Sequence, residues 1–347
     1  MKTFMRYLRY RLETTTLRTL VFTVISVMLS LSVIKDCIRV YDNEYKYAET
    51  GIYILAVVLG IICTLIPILE NMGFKNRRNL DTLFFFPLKR EKMALVHYLS
   101  GFIQVTAIYT ATFVVSAVYL AANTDFFELY HLVGYYFLSL LLGFVMYSFF
   151  IFVFEQGNTV ADGVVFAIMW SLAFWVVWEA AYSVWLSSLM AQEDWHNAVY
   201  SYRIYSDWGI AYGPINNLTV IFQDLIEVNK HGWYQSEYPA KYMSQWYMFV
   251  AWVAVGAAAA IGYFVTFTKK GAHKAGEVSD SWFGYRLLIP IYGYSLHLLT
   301  GIEGLLTILI FAAMIIGYII YRRSFKLKTS DLIVTACGII PMIIGAM

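Results

Sequence analysis

The chain has 347 residues, 60% of them hydrophobic and only 14% charged, with a mean hydropathy of +0.62. Such values lie far outside the range of water-soluble domains and define an integral membrane protein. A formal net charge of +2 gives no reason to invoke nucleic acid, and three cysteines (Cys37, Cys63 and Cys337) do not make a disulfide framework.

Residues 1–16 interleave Lys2, Arg6, Arg9 and Arg11 with Phe4, Met5, Leu8 and Leu12, the pattern of an amphipathic helix lying on a membrane surface. Leu17 to Ile34 is the first membrane-length run, and it carries no A-x-A cleavage site, so it reads as a retained span. A polar segment with Asp36, Asp42, Glu44 and Glu49 follows, and Gly51 to Leu69 is the second run.

Asn71 to His97 is the longest charged interruption between two such runs and holds Lys75, Arg77, Arg78, Lys89, Arg90 and Lys92. Basic loops stay in the cytoplasm. At 100° per residue, 74–85 is expected to form an amphipathic helix with Leu80, Leu83 and Phe84 on one face and Lys75, Arg78 and Asp81 on the other. Phe74 and Phe85 fall on the charged side, where an aromatic suits insertion into a partner's groove. Pro87 ends the helix.

Tyr98 to Ala121 and Leu132 to Phe154 are the third and fourth runs, joined by the acidic connection 123–130. Each matches the roughly 20 residues that cross about 30 Å of hydrocarbon. Glu155 to Asp162 is a short link in which Gly157 and Asn158 read as a tight turn. The fifth run, Val164 to Met190, carries Glu179, an acid at membrane depth and hence a candidate for the substrate pathway. Residues 191–245 are too aromatic for a disordered linker and read as an outer cap or interfacial helices. Trp246 to Thr268 is the sixth run, and its small-residue centre (254–262) suits close helix packing.

The basic segment KKGAHKAGEVSDSWFGYR follows. Residues 287–320 are apolar but broken at Gly301 to Gly304, and basic segments flank them on both sides, so they read as a short helical hairpin turning near Glu303, a second candidate pathway acid. Leu332 to Met347 is a last apolar run that ends without a polar flank, as expected of a chain that continues. Lys and Arg number five in 1–18, six in 71–97, four in 269–286 and four in 321–331, against three in each of 35–50 and 191–245. That asymmetry predicts an N-terminus on the inside, and a cytoplasmic (plasma) membrane is the expected location.

No G-x-x-x-x-G-K-[ST], H-E-x-x-H, G-x-S-x-G or C-x-x-C pattern is present, and no two of the six histidines have helical ligand spacing. The sequence therefore assigns no catalytic residue, metal or cofactor to this chain.

Two stretches carry a family resemblance. Leu83 to Met93, LFFFPLKREKM, resembles the cytoplasmic loop of type-2 ABC exporter permeases, where a short coupling helix is followed by a Leu-Pro-x-x-Arg turn into the third span; Lys89 stands where that family often has a small hydroxyl residue. Lys270, Lys274, Ala275 and Gly276 fit an Arg/Lys-x-x-Glu-x-Ala-Gly signature of Gram-positive members after the sixth span, with His273 replacing the acid.

The resemblance implies an all-α polytopic transmembrane bundle: a six-span permease core (1–270) with coupling loop 71–97 and outer segment 191–245, then a C-terminal part (271–347) with a helical hairpin and a final span. It implies a pair of permease chains working with a separate ABC ATPase subunit that holds ATP and Mg, and export of an amphipathic drug, peptide or lipid. Phe74, Arg77, Arg78, Asp81, Phe85 and Arg90 would then form the docking face for the ATPase. The rival readings are a polytopic membrane enzyme acting on lipid-linked substrates and a secondary transporter; clustered acids, His or Arg at one membrane face would favour the first, and inverted repeats or broken helices with polar midplanes the second.

Overall fold

A computed structural model of the chain describes residues 2–41, 45–47, 53–76, 88–124, 129–190, 246–271, 274–300, 304–322, 324–326, 328–333 and 335. The described residues are overwhelmingly α-helical. Among the described residues six helices are long and apolar enough to cross a membrane: α1 (Lys2–Cys37), α2 (Tyr53–Asn71), α3 (Arg90–Asn123), α4 (Leu129–Gln156), α5 (Val160–Met190) and α6 (Trp246–Lys269). Two shorter helices follow, α7 (Leu287–Thr300) and α8 (Gly304–Arg322). They form the expected hairpin: Gly293 faces Met314, Gly317 faces Ile289, and Thr307 lies 3.2 Å from His297, an antiparallel register.

Two elements differ from the sequence reading. Residues 2–37 form one uninterrupted helix, with no break between a surface helix and a first span, because the stretch contains neither Gly nor Pro. At 1.5 Å per residue its 36 residues reach about 54 Å, so α1 overshoots the hydrocarbon, as α3 does with 34 residues. The polar segment after α1 holds a small antiparallel hairpin, β1 (Arg39–Tyr41) with β2 (Tyr45–Tyr47), in which Arg39 lies opposite Tyr47.

The exposure pattern of α1 is that of a helix solvated by lipid. Leu17 is 75% exposed, and Val24 and Met28 are also exposed, whereas Thr15, Ser26 and Ser30 are buried. Along 17–30 the buried residues are polar and the exposed ones apolar, the reverse of a water-soluble bundle.

By compactness the described residues divide into two units, one within Met1–Glu155 and Pro214–Ala272, the other within Gln156–Gly213 and His273–Met347. In the first, the fully buried side chains include Tyr109, Tyr135, Tyr147, Tyr263 and Phe154. The small-residue centre of α6 packs as expected: a Cβ on Gly256 would lie 2.7 Å from the Val145 Cα, and one on Gly262 would lie 2.8 Å from the Phe152 ring. In the second unit α5 packs on the C-terminal hairpin, where Tyr292 donates to the Met169 carbonyl (2.5 Å) and the Phe166 and Tyr285 rings meet edge to face at 4.8 Å. These contacts place α5 in one unit with the C-terminal hairpin.

Candidate functional site

In the first unit the N-terminal part of α1, the C-terminal end of α2 and the start of α3 meet around one acid. Glu70 occupies the last turn of α2, where a carboxylate opposes the helix dipole and needs cations to hold it. Its side chain has no exposed surface. Arg11 donates through Nη2 to Oε2 (2.7 Å), Arg18 donates to Oε1, and Gln104 donates to Oε1 (2.8 Å). The Gln104 carbonyl oxygen in turn accepts from Arg18 (2.7 Å). His97 Nδ1 lies 3.3 Å from the Glu70 backbone carbonyl, and its Nε2 lies 3.1 Å from the Tyr7 hydroxyl. The carbonyl can only accept, so the proton of that contact is on Nδ1, while the Tyr7 hydroxyl can donate to Nε2 or accept from it.

A second acid centre lies at the end of α4. Glu155 is buried; Lys75 Nζ approaches Oε2 at 3.7 Å and Lys270 Nζ approaches Oε1 at 3.8 Å. Lys270 also donates to the Glu155 carbonyl (2.6 Å), capping the C-terminus of α4 as a cation does best. Lys75 sits 4.6 Å over the Phe154 ring. Arg90, the first residue of α3, donates to the Lys270 carbonyl (3.0 Å). Asn71 and Tyr263 join α2 to α6 at 3.2 Å. Lys75, which leads into the basic loop, thus reaches Glu155, and Arg90, which leads out of it, reaches Lys270; those two residues, at the ends of α4 and α6, contact each other.

The expected docking residues separate. Phe74 is a correction: it is 8% exposed, with its ring 4.6 Å from His97 and 4.9 Å from Phe267, both edge to face. The cause is local backbone. Met72–Lys75 is a 3₁₀ turn that continues α2, and Asn76 is extended (φ −102°, ψ 116°), so the angular phase assumed for a helix starting at 74 does not apply. Lys75, expected on a wet face, is buried for the same reason. Arg90 is exposed. Arg77, Arg78, Asp81 and Phe85 lie outside the described residues, as does Glu303. Glu179 is half-buried on α5, with no ionic partner among the described residues. Nineteen residues from the start of α5, it sits about 28 Å along the axis, close to the far edge of the hydrocarbon.

The second unit holds a different cluster. The link after α4 turns at Gly157, where a Cβ would lie 2.5 Å from the Gly163 nitrogen, so the expected tight turn needs glycine. The segment after α6 fastens it. Gly276, at φ 81°, donates to the Asn158 carbonyl (3.0 Å); Ser279 Oγ accepts from the Asn158 N–H (2.7 Å) and donates to Asp162 (2.6 Å). Tyr285 donates to the other Asp162 oxygen (3.1 Å), and burial followed by that carboxylate pushes its phenol up to about 12. Gly276 belongs to the signature-like run Lys274-Ala275-Gly276, and its left-handed conformation explains why glycine stands there.

Sequence reasoning missed Glu70 and Glu155. Both close an apolar run on its basic side, and a carboxylate at such a place must be paired. No protein-family model matches the chain, and no curated protein matches it. Among the described residues no group of three or more His, Cys, Asp or Glu is arranged to hold a metal ion.

Proposed function

We propose that the chain is the transmembrane permease subunit of an ATP-driven exporter, worked by a separate ATPase that docks on the loop between α2 and α3. The observation that carries this reading is the pair of tethers at the loop's base: Lys75 to Glu155 before it, and Arg90 to the Lys270 carbonyl after it. A load on that loop passes directly to the ends of α4 and α6. A loop that only joined two spans would not need buried charges there, because one buried ion costs several kcal/mol before it is paired. The six membrane-length helices and the two family-like stretches point the same way.

In this reading the loop end of the first unit faces the cytoplasm, ATP and Mg bind on the partner, and an amphipathic substrate crosses between paired permease chains. Purification of the tagged chain from its native membrane tests it: an ATPase chain with a P-loop should co-elute in about equal amount. Full transport by the chain alone in ATP-free vesicles under an ion gradient would contradict it.

A further inference from the structure

The Glu70 centre contains two guanidinium groups and one carboxylate. Around it lie Arg11, Arg18, Thr19 and Tyr7 from α1, Glu70 from α2, and His97, Ser100 and Gln104 from α3, all but Glu70 neutral or cationic. Glu13, the nearest other acid on α1, is engaged with Arg9 on the exposed side (2.8 Å). One positive charge is left over in a site from which water is largely excluded, and an uncompensated charge there is costly.

The arginines are also incompletely bonded. Each commits Nη2 to the cluster, while the Nε–H of both is buried without an acceptor. Their side chains remain 20% and 24% exposed, so the pair is open along one flank of α1.

That flank lies at headgroup level. Arg18 sits at the start of the apolar run that begins at Leu17, and Arg11 is seven residues, or about 10 Å, further from the hydrocarbon. Thr14, Arg18, Val21 and Ile25 follow one line at i, i+4, i+7 and i+11. Thr14 is exposed at its polar end, and Val21 and Ile25 are 48% and 55% exposed along the apolar part. A cationic pocket thus continues into an apolar track.

We infer that Arg11 and Arg18 bind the phosphate of an anionic phospholipid headgroup, which supplies the negative charge that Glu70 alone does not, while its acyl chain lies along Val21 and Ile25. The apolar track selects a lipid over free phosphate, and the charge left over selects an anionic lipid over a zwitterionic one. The inference does not depend on the exporter reading.

The test is the thermal midpoint of the full chain in neutral detergent, with phosphatidylglycerol, phosphatidylcholine or inorganic phosphate added. Phosphatidylglycerol should raise it by about 3 °C or more above phosphatidylcholine, as expected for a ligand in excess of its Kd, and inorganic phosphate should not. Arg18→Gln should abolish that difference. So should Thr14→Glu, which places an acid one turn from each arginine on an exposed position and decides the matter if Arg18→Gln does not fold. Lys92→Gln, an exposed cation elsewhere in the unit, should keep it. Equal effects of the two lipids, an equal rise with inorganic phosphate, a response retained in Thr14→Glu, or one lost equally in Lys92→Gln would each overturn the assignment.

Discussion

Two regions of the molecule, the helix ends around Glu70 and Glu155 and the turn around Asp162, are fastened by opposite means. In the first, buried acids each hold two cations: Glu70 with Arg11 and Arg18, and Glu155 with Lys75 and Lys270. In the second, Asp162 takes hydrogen bonds from the neutral hydroxyls of Ser279 and Tyr285, and backbone groups of Asn158 complete the clasp. Hydroxyl and backbone bonds fix a turn by short-range geometry. An ion pair acts over a longer distance and tolerates a shift of an ångström without vanishing. An ionic arrangement suits helix ends that stay connected through a movement, and it stands at the base of the loop proposed for ATPase docking.

Glu70 is the most sensitive position among these fastenings. Glu70→Ala leaves two guanidinium groups without their carboxylate and should destabilise the chain by about 3–5 kcal/mol, seen as loss of the monodisperse fraction on size exclusion. Adding Arg18→Gln to that variant should recover part of the loss. If it does not, packing and not charge is what Glu70 supplies.

In the second unit the corresponding weak point is backbone conformation. Gly276→Ala puts a Cβ at φ 81° and should cost about 1–2 kcal/mol, a fall of roughly 2–6 °C in thermal midpoint, without altering any charge. A variant as stable as the parent would show that the segment after α6 does not need its left-handed residue.

The smallest effect is a pH dependence in the same unit. Burial alone would raise the Asp331 carboxyl, but the hydrogen bonds from Arg322 (2.6 and 2.7 Å) and the N–H of Lys328 outweigh it and hold the group below its usual range. A depressed folded value means that the contribution is fully present above the unfolded value of about 3.9 and is lost as pH falls through the folded one. Thermal midpoints recorded from pH 6 down to 3 should decline less steeply for Asp331→Asn than for the parent. Identical slopes would show that the Arg322 pair adds no linkage.

Much of this architecture is legible in the sequence, because apolar run length and basic flanks are set by the bilayer itself. The six long helices, the hairpin broken near Gly301 and the turn at Gly157 follow from those signals and from glycine placement. Phase and pairing do not. Phe74 and Lys75 belong to a turn that continues α2, and one extended residue, Asn76, resets the angular register on which a helical wheel depends. Glu70 and Gln104 are 34 residues apart, and the sequence carries no local sign that they meet. The partner of Arg18 likewise comes from another helix, so its pairing with Glu70 leaves no local mark in the sequence.

Whether a separate ATPase works this chain is decided by what touches the loop between α2 and α3. Phe85→Cys, in a chain whose three native cysteines are replaced, should crosslink in native membranes to a chain carrying a P-loop, while a cysteine restored at position 37 should not. Crosslinking of position 85 only to lipid or to another copy of this chain, or its labelling from outside intact cells by an impermeant reagent, would contradict the account.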